Sequence, residues 1–401
     1  MNPERPETDD MPALSFLAPN MGGPSLGFVT AFARALQHTS PVQVIGPDFW
    51  NSGVMPIYRG GFDYTVVPTP RLYRFPDFFW QIRRLQRAIT GDVLFAFKAM
   101  PQTVWLALRE KKRRGCPVVV CLDEWDGALM ARRTAAERRA YWRQHWWHPL
   151  EENYYPLIER LLPRADHVIS TSTFLQRKFG GSVIRMGVDT ERFQPLSVVE
   201  KQTVRHELGL LPGHRVIVFG GLVRPHKGVE TIVEAMRQVA DPNLRLLVIG
   251  PMTETLKELI QGPGGDRLVA AGAKPAGEMP RWLGAGDVAI LPMTGDLLSQ
   301  SQVPCKVFEA MAMGLPILAG AVSDLPDIVS GAGEVFAPNR VEELTGHIQR
   351  LWSEPARMEA YGREARRKCA DHYSAAVMAQ KLLDVVRELP AIRALRTAAA
   401  G

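Results

Sequence analysis

Short apolar runs, most of them rich in β-branched residues, recur along the whole chain, and most are followed by a glycine or proline loop and then by a stretch of helical period. They lie at Ala13 to Pro19, Val42 to Gly46, Tyr64 to Pro68, Val93 to Phe97, Val118 to Leu122, Val168 to Thr171 and Val183 to Met186. They resume at Arg215 to Phe219, Leu244 to Ile249, Leu268 to Ala271, Asp287 to Leu291, Pro316 to Ala319 and Glu334 to Phe336. A strand without polar alternation is buried on both faces, and strands that alternate with helices build a parallel sheet covered on both sides. The expected class is α/β. With 401 residues and 46% hydrophobic content there is material for two such domains. Their expected bounds are 12–195 and 196–373, with Leu196 to Gly213 as a polar connector and a last helix over 374–398 whose Met378, Leu382, Val385 and Leu389 share one side.

Forty-eight Lys and Arg against 42 Asp and Glu give a net charge of +6, which favours anionic partners without naming one. Cys116, Cys121, Cys305 and Cys369 have neither zinc-ligand nor redox spacing, so reduced thiols are expected. The first dozen residues are polar and acidic, unlike a signal peptide, and no window approaches eighteen continuous apolar residues. A cytoplasmic chain, with any membrane contact peripheral, is the expectation.

The stretch Arg215 to Gly228 carries the first chemistry. A buried strand ends at Gly220 and Gly221, the loop holds Arg224, Pro225, His226 and Lys227, and Gly228 opens a helix with Val229, Ile232, Val233, Met236 and Val239 at helical spacing. Unpaired N–H groups and the positive end of the helix dipole, close backbone approach at glycine, and two cations together suit a diphosphate. The plainer alternative is a pair of solvated loop cations beside an ordinary turn.

A second stretch follows the run at Asp287. Ser299, Gln300, Ser301 and Gln302 form a polar loop, and Pro304 to Pro316 reads as a helix of about three turns with Pro304 in its first turn and Gly314 at its stop. Val307, Phe308, Met311 and Ala312 supply its buried stripe. That leaves Lys306 and Glu309 together on another face.

These two stretches resemble the retaining, nucleotide-sugar-dependent glycosyltransferases of the GT-B fold, family 4. Gly220 to Gly228 matches the family's glycine, proline and lysine loop, Glu309 to Pro316 matches E-x-M-A-x-G-x-P, and Val183 to Pro195 is similar to its interdomain stretch, with Met186 where an asparagine is usual. The resemblance implies two Rossmann-like domains facing each other across a cleft, the first on the acceptor side and the second binding the nucleotide sugar, and a C-terminal helix crossing back to the first. It implies sugar transfer to an acceptor hydroxyl with retention, no metal and no cofactor beyond the nucleoside-diphosphate sugar. Arg224 and Lys227 would stabilise the departing diphosphate, and Glu309 would accept from the ribose hydroxyls. Gly22 and Gly23, in the loop after the first strand, would form a lip at the donor phosphates, although glycines needed only for the turn read equally well.

Three further positions depart from the pattern. Ser301 stands for the first glutamate of E-x7-E, so the sugar contact is absent or passes to Ser299, Gln300 or Lys306. Gly221 stands where an arginine is usual, and Leu122 where a histidine is usual. Asp123 and Asp126, at the end of a central strand, are candidates for orienting the acceptor; an acidic cluster capping the next helix is the alternative. Gly250 and Lys274 lie where the base would sit. The departures motivate one rival reading, a catalytically inactive GT-B-shaped partner or scaffold; a nucleotide-sugar epimerase of similar fold is the rival enzyme.

Two stretches combine cations with large aromatics. Arg71 to Arg87 holds Tyr73, Phe75, Phe78, Phe79 and Trp80 beside five arginines, and Arg132 to Trp147 holds Tyr141, Trp142, Trp146 and Trp147 beside five more. Such segments suit an anionic membrane surface, at about 1 kcal/mol per cation, and a lipid-linked or anionic acceptor. The alternative is buried aromatics under a solvated basic face. No nucleic-acid module accompanies the charge.

Overall fold

The computed structural model describes residues 11–49, 51–69 and 74–399. Contacts group the chain up to Met186 with the chain from Met378 onward as one compact unit, and Gly187–Val377 as a second.

The first unit holds, among the described residues, a seven-stranded parallel sheet: β1 (Leu14–Leu17), β2 (Val42–Asp48), β3 (Tyr64–Pro68), β4 (Val93–Phe97), β5 (Val118–Leu122), β6 (His167–Ser170) and β7 (Ser182–Val183), ordered 3-2-1-4-5-6-7. Strands β1, β4 and β5 are buried throughout, as their unbroken apolar runs require. One face packs Phe16, Phe95 and Phe97 against Phe28 and Phe32 of the helix Leu26–Leu36. The helix Ala375–Glu388 contributes Met378, Leu382, Val385 and Val386 to this same core. The other face covers Leu94, Ala96, Val118 and Val120 with Ile82, Leu85 and Val104.

The second unit repeats the plan with β8 (Arg215–Gly220), β9 (Leu244–Ile249), β10 (Leu268–Ala270), β11 (Val288–Leu291), β12 (Ile317–Gly320) and β13 (Gly333–Phe336), all parallel, ordered 10-9-8-11-12-13. Two parallel sheets wound on both faces make this a two-domain α/β architecture. Sequential order reverses between β1 and β4 in the first sheet and between β8 and β11 in the second. Beyond the carboxyl ends of the strands at such a reversal the two loops diverge and leave a crevice, which is where open parallel sheets bind ligands.

Some expectations change. The connector Leu196 to Gly213 is mostly the helix Val198–Glu207, closed by a reciprocal cap between Ser197 and Glu200 and anchored by buried Val204 and Arg205; the S-x-x-E spacing was the legible signal. The chain from Gly187 to Pro195 is tied to the second unit, because Arg366 donates to the carbonyls of Phe193 and Thr190 and Val188 bridges Ser374. The helix after Pro304 spans only Lys306–Ala312, two turns, so the proline lies before it. In the first basic aromatic stretch, Arg71 and Tyr73 lie outside the described residues; the helix there is Asp77–Ala88.

Candidate functional site

In the second unit the loops after β8 and β11 are stitched together across the reversal. After Gly220 the chain turns at Gly221, φ 144°, whose N–H donates to Ile249 O at 2.9 Å. Alanine at Gly250 would place a Cβ 2.1 Å from the Gly221 carbonyl, so glycine there is what lets β9 approach this turn. Pro225–Lys227 forms a short 3-10 turn, and Gly228, at φ 67°, caps the helix Val229–Gln238 in a left-handed conformation that suits glycine. Met293 N donates to Lys227 O at 3.2 Å and Thr294 N to His226 O at 3.0 Å. The Lys227 ammonium donates to Gln302 Oε1 at 3.1 Å and lies 3.8 Å from Met293 Sδ.

The polar loop after β11 becomes the short helix Leu297–Ser301, whose N-cap Asp296 accepts from Ser299 N at 2.8 Å. Ser299 and Ser301 are fully buried: the Ser299 hydroxyl reaches His226 O at 3.3 Å, and Ser301 donates to Leu298 O at 2.9 Å. Gln300 turns instead to the loop after β12, accepting from Ser323 N at 3.3 Å. Lys306 and Glu309 form an ion pair at 2.9 Å on one face of their helix. Arg224 is exposed. The Lys274 ammonium lies 3.8 Å from the centre of the Trp282 ring, a cation on an indole face.

In the first unit, the glycine loop after β1 fits under the loop after β2. Gly22 N donates to Asn20 Oδ1 at 3.0 Å, and a Cβ on Gly22 would come within 2.3 Å of Ser52 Oγ. Gly23 is less confined, its Cβ 3.1 Å from the Asn20 amide. Ser52 and Gly53 are themselves held by the Asp48 carboxylate through backbone N–H bonds at 3.0 and 2.8 Å.

Beyond β4 and β5 lies a buried ionic cluster. Lys98, 6% exposed, extends its ammonium to within 3.2 Å of Asp123, 3.0 Å of Asp126 and hydrogen-bond distance of Glu124. Burial disfavours the ammonium, but three carboxylates outweigh it and raise the Lys98 pKa well above its usual value. Burial raises Asp126 to about 6, against the lowering pull of Lys98, and raises Asp123 as well. Glu159, which accepts from Trp125 Nε1 at 2.9 Å, is pushed by burial to about 7. One positive charge thus faces three carboxyls, with a fourth close by. The outer oxygen of Asp126 has no hydrogen-bond partner although it is buried.

A family model described as glycosyl transferases group 1 matches residues 213–354. Over that span the chain is similar to the group 1 glycosyltransferases. The chain is 28% identical over 211 residues to a GDP-mannose-dependent monoacylated alpha-(1-6)-phosphatidylinositol monomannoside mannosyltransferase of Corynebacterium glutamicum, covering 51% of this chain and 55% of that protein. It is 31% identical over 195 residues to a D-inositol 3-phosphate glycosyltransferase of Segniliparus rotundus, covering 45% and 41%. The chain thus spans about half the length of the curated relatives it matches. Among solved structures, Anabaena Alr3699/HepE in complex with UDP-glucose superposes with a TM-score of 0.73 at 16% identity, over 94% of this chain and 100% of that one. Sucrose-phosphate synthase from Thermosynechococcus elongatus gives 0.71 at 18% identity, over 94% and 99%. At such identities the likeness is one of fold.

The matched span contains the entire second-unit constellation. Sequence reasoning passed over Gln302 as a partner of Lys227, and Lys98 altogether. It also could not foresee that Lys98 (φ 64°) and Met293 (φ 46°), each just beyond one of the strands at a reversal, adopt left-handed backbone. Neither residue type favours that region, so no local signal announces it; strain of this kind concentrates where a tertiary arrangement fixes a functional loop.

Proposed function

We propose that this protein is a glycosyltransferase that moves a sugar from a nucleoside-diphosphate donor to an acceptor hydroxyl with retention of the anomeric configuration. One observation carries the reading: Lys227 and the capped start of the helix Val229–Gln238 are tied by backbone hydrogen bonds to the loop after β11, so a cation and oriented N–H groups are fixed beyond the reversal point of the second sheet. As the bond from the anomeric carbon to the diphosphate oxygen breaks, negative charge grows on the leaving group. Arg224, Lys227 and the N–H groups after Gly228 stabilise that charge, each preorganised donor contributing about 2.7 to 4 kcal/mol in comparable sites. Glu309 accepts from the ribose hydroxyls, and Lys306, its ion-pair partner, holds that carboxylate in place.

The acceptor contacts belong to the first unit, where Asp123 and Asp126 present carboxylates at the end of β5 and Gly22 keeps the neighbouring loop close. Ser299, Gln300 and Ser301 support the donor loop through the bonds described above, and Lys274 with Gly250 borders the base side. A lipid-linked or anionic acceptor handled at the inner face of a membrane fits the basic surface of that unit. The C. glutamicum relative is described as GDP-mannose-dependent, and the Anabaena structure holds UDP-glucose; the two differ in base, so the donor base is left to measurement.

The test is a thermal-shift panel with UDP, GDP, ADP, TDP and CMP. A nucleotide at a hundred times its dissociation constant adds about 2.7 kcal/mol, which is roughly 5 to 11 °C for domains of this size. One nucleoside diphosphate should give that shift, and Lys227→Met and Glu309→Gln should each remove most of it. A flat panel would favour an inactive scaffold, and an epimerised donor without transfer would favour the epimerase.

A further inference from the structure

We propose that one face of the first unit, formed by the helix Asp77–Ala88, the helix Ala135–His145 and the turn that follows it, docks on an anionic lipid bilayer. The inference deepens the proposed reading of a lipid-linked or anionic acceptor and uses none of the residues assigned to donor or acceptor chemistry.

The helix Asp77–Ala88 sends Phe78, Ile82 and Leu85 into the core and leaves Phe79 47% and Trp80 63% exposed. The helix Ala135–His145 buries no residue at all and runs into Trp146, 56% exposed. The two segments form one surface. Phe75 N donates to Trp147 O at 3.0 Å, the Phe75 ring stacks on Phe79 at 5.3 Å and meets Tyr154 at 6.0 Å, and Tyr154 in turn contacts Trp142 at 5.1 Å and donates to the Trp146 carbonyl. Guanidinium groups are interleaved with the rings: Arg74 lies over Trp147 at 5.2 Å and Arg83 over Trp80 at 5.4 Å.

Charge identifies the occupant. Residues 74–87 carry four arginines against one aspartate, and residues 132–147 five against one glutamate. These thirty residues hold a surplus of seven positive charges, so the remainder of the chain, which totals +6 with them, is close to neutral. Large rings at the surface gain nothing from water, and arginines between them gain little from one another. Both gain at a headgroup layer, where indoles sit with their apolar edge inward and guanidinium groups meet lipid phosphates. Among the described residues no helix is long and apolar enough to cross a membrane, so this docking is peripheral.

The experiment is flotation of the full chain with vesicles of phosphatidylcholine alone or mixed with phosphatidylglycerol, at low and high salt. Binding should require phosphatidylglycerol and weaken as salt rises. Trp80→Ser combined with Trp146→Ser should lower partitioning about tenfold, and Arg83→Gln with Arg84→Gln should lower it by a similar factor on anionic vesicles only. Both variants alter exposed side chains, and an unchanged unfolding midpoint will show that the fold is intact. Absence of binding to phosphatidylglycerol vesicles at low salt, or binding undiminished in the tryptophan variant, overturns the proposal. So does capture of single-stranded DNA through the same tryptophans without vesicle binding.

Discussion

The ammonium of Lys98 lies 3.0 Å from Asp126 Oδ1, and both side chains are more than nine-tenths buried. The contact joins the residue just beyond β4 to the loop beyond β5, and the lysine reaches it from a left-handed backbone. A cation here lets three carboxylates share one end of the sheet.

Removing that cation should be costly. Lys98→Met leaves Asp123, Glu124 and Asp126 facing one another without compensation, and breaking a buried ion pair by deleting one partner typically costs about 3 to 5 kcal/mol. Urea unfolding of the variant at neutral pH should show a loss of that order. A loss below about 1 kcal/mol would mean that the carboxylates are already neutral or hydrated.

The same cluster sets a pH dependence. Asp126 has its pKa raised to about 6 by burial, with the Glu124 and Asp123 charges adding to the rise and Lys98 opposing it; the Glu159 carboxyl and the neutral Tyr155 phenol also interact with it. The carboxylate accepts a hydrogen bond from an acceptor hydroxyl more strongly than the protonated acid does. Transfer should therefore fall as pH drops through about 6, and Asp126→Asn should remove that limb of the profile while lowering the plateau. For stability the sign is opposite. A raised carboxyl pKa favours the fold below the unfolded value near 3.8, and that contribution is lost as pH climbs through about 6.

Gly250 tests the architecture of the diphosphate loop. A methyl group there would meet the Gly221 carbonyl at 2.1 Å, which backbone must yield to. Gly250→Ala should cost about 1 to 3 kcal/mol, in the range of other overpacking substitutions, and should reduce the nucleotide-induced thermal shift more than its stability loss alone predicts. An unchanged shift would detach this turn from nucleotide binding.

Lys306 separates a structural from a ligand role. It is about one-third exposed and pairs with Glu309 one turn on, and such i,i+3 pairs contribute only about 0.2 to 0.5 kcal/mol to a helix. Lys306→Met should leave the unfolding midpoint within about 2 °C of the parent yet weaken the nucleotide shift, because Glu309 loses the partner that orients it. Equal nucleotide shifts in parent and variant would assign the pair to the surface alone.

Much of this protein was legible in the order of its residues. Unbroken apolar runs such as Val118 to Leu122 have one low-energy fate, a strand covered on both sides, and the glycines and proline around Arg224 to Gly228 mark a strand-to-helix turn because few other residues tolerate its backbone. Those are local properties, set by side-chain solvation and by allowed backbone angles within a few positions. Tertiary structure alone decided which loops meet. It set Gln302 against Lys227, turned Gln300 toward Ser323, buried Ser301, and drew Lys98 out of an unremarked position into the centre of three carboxylates. Pairings of that kind follow from the order in which strands enter a sheet, and the energy that fixes this order comes from the whole core, not from any window of sequence.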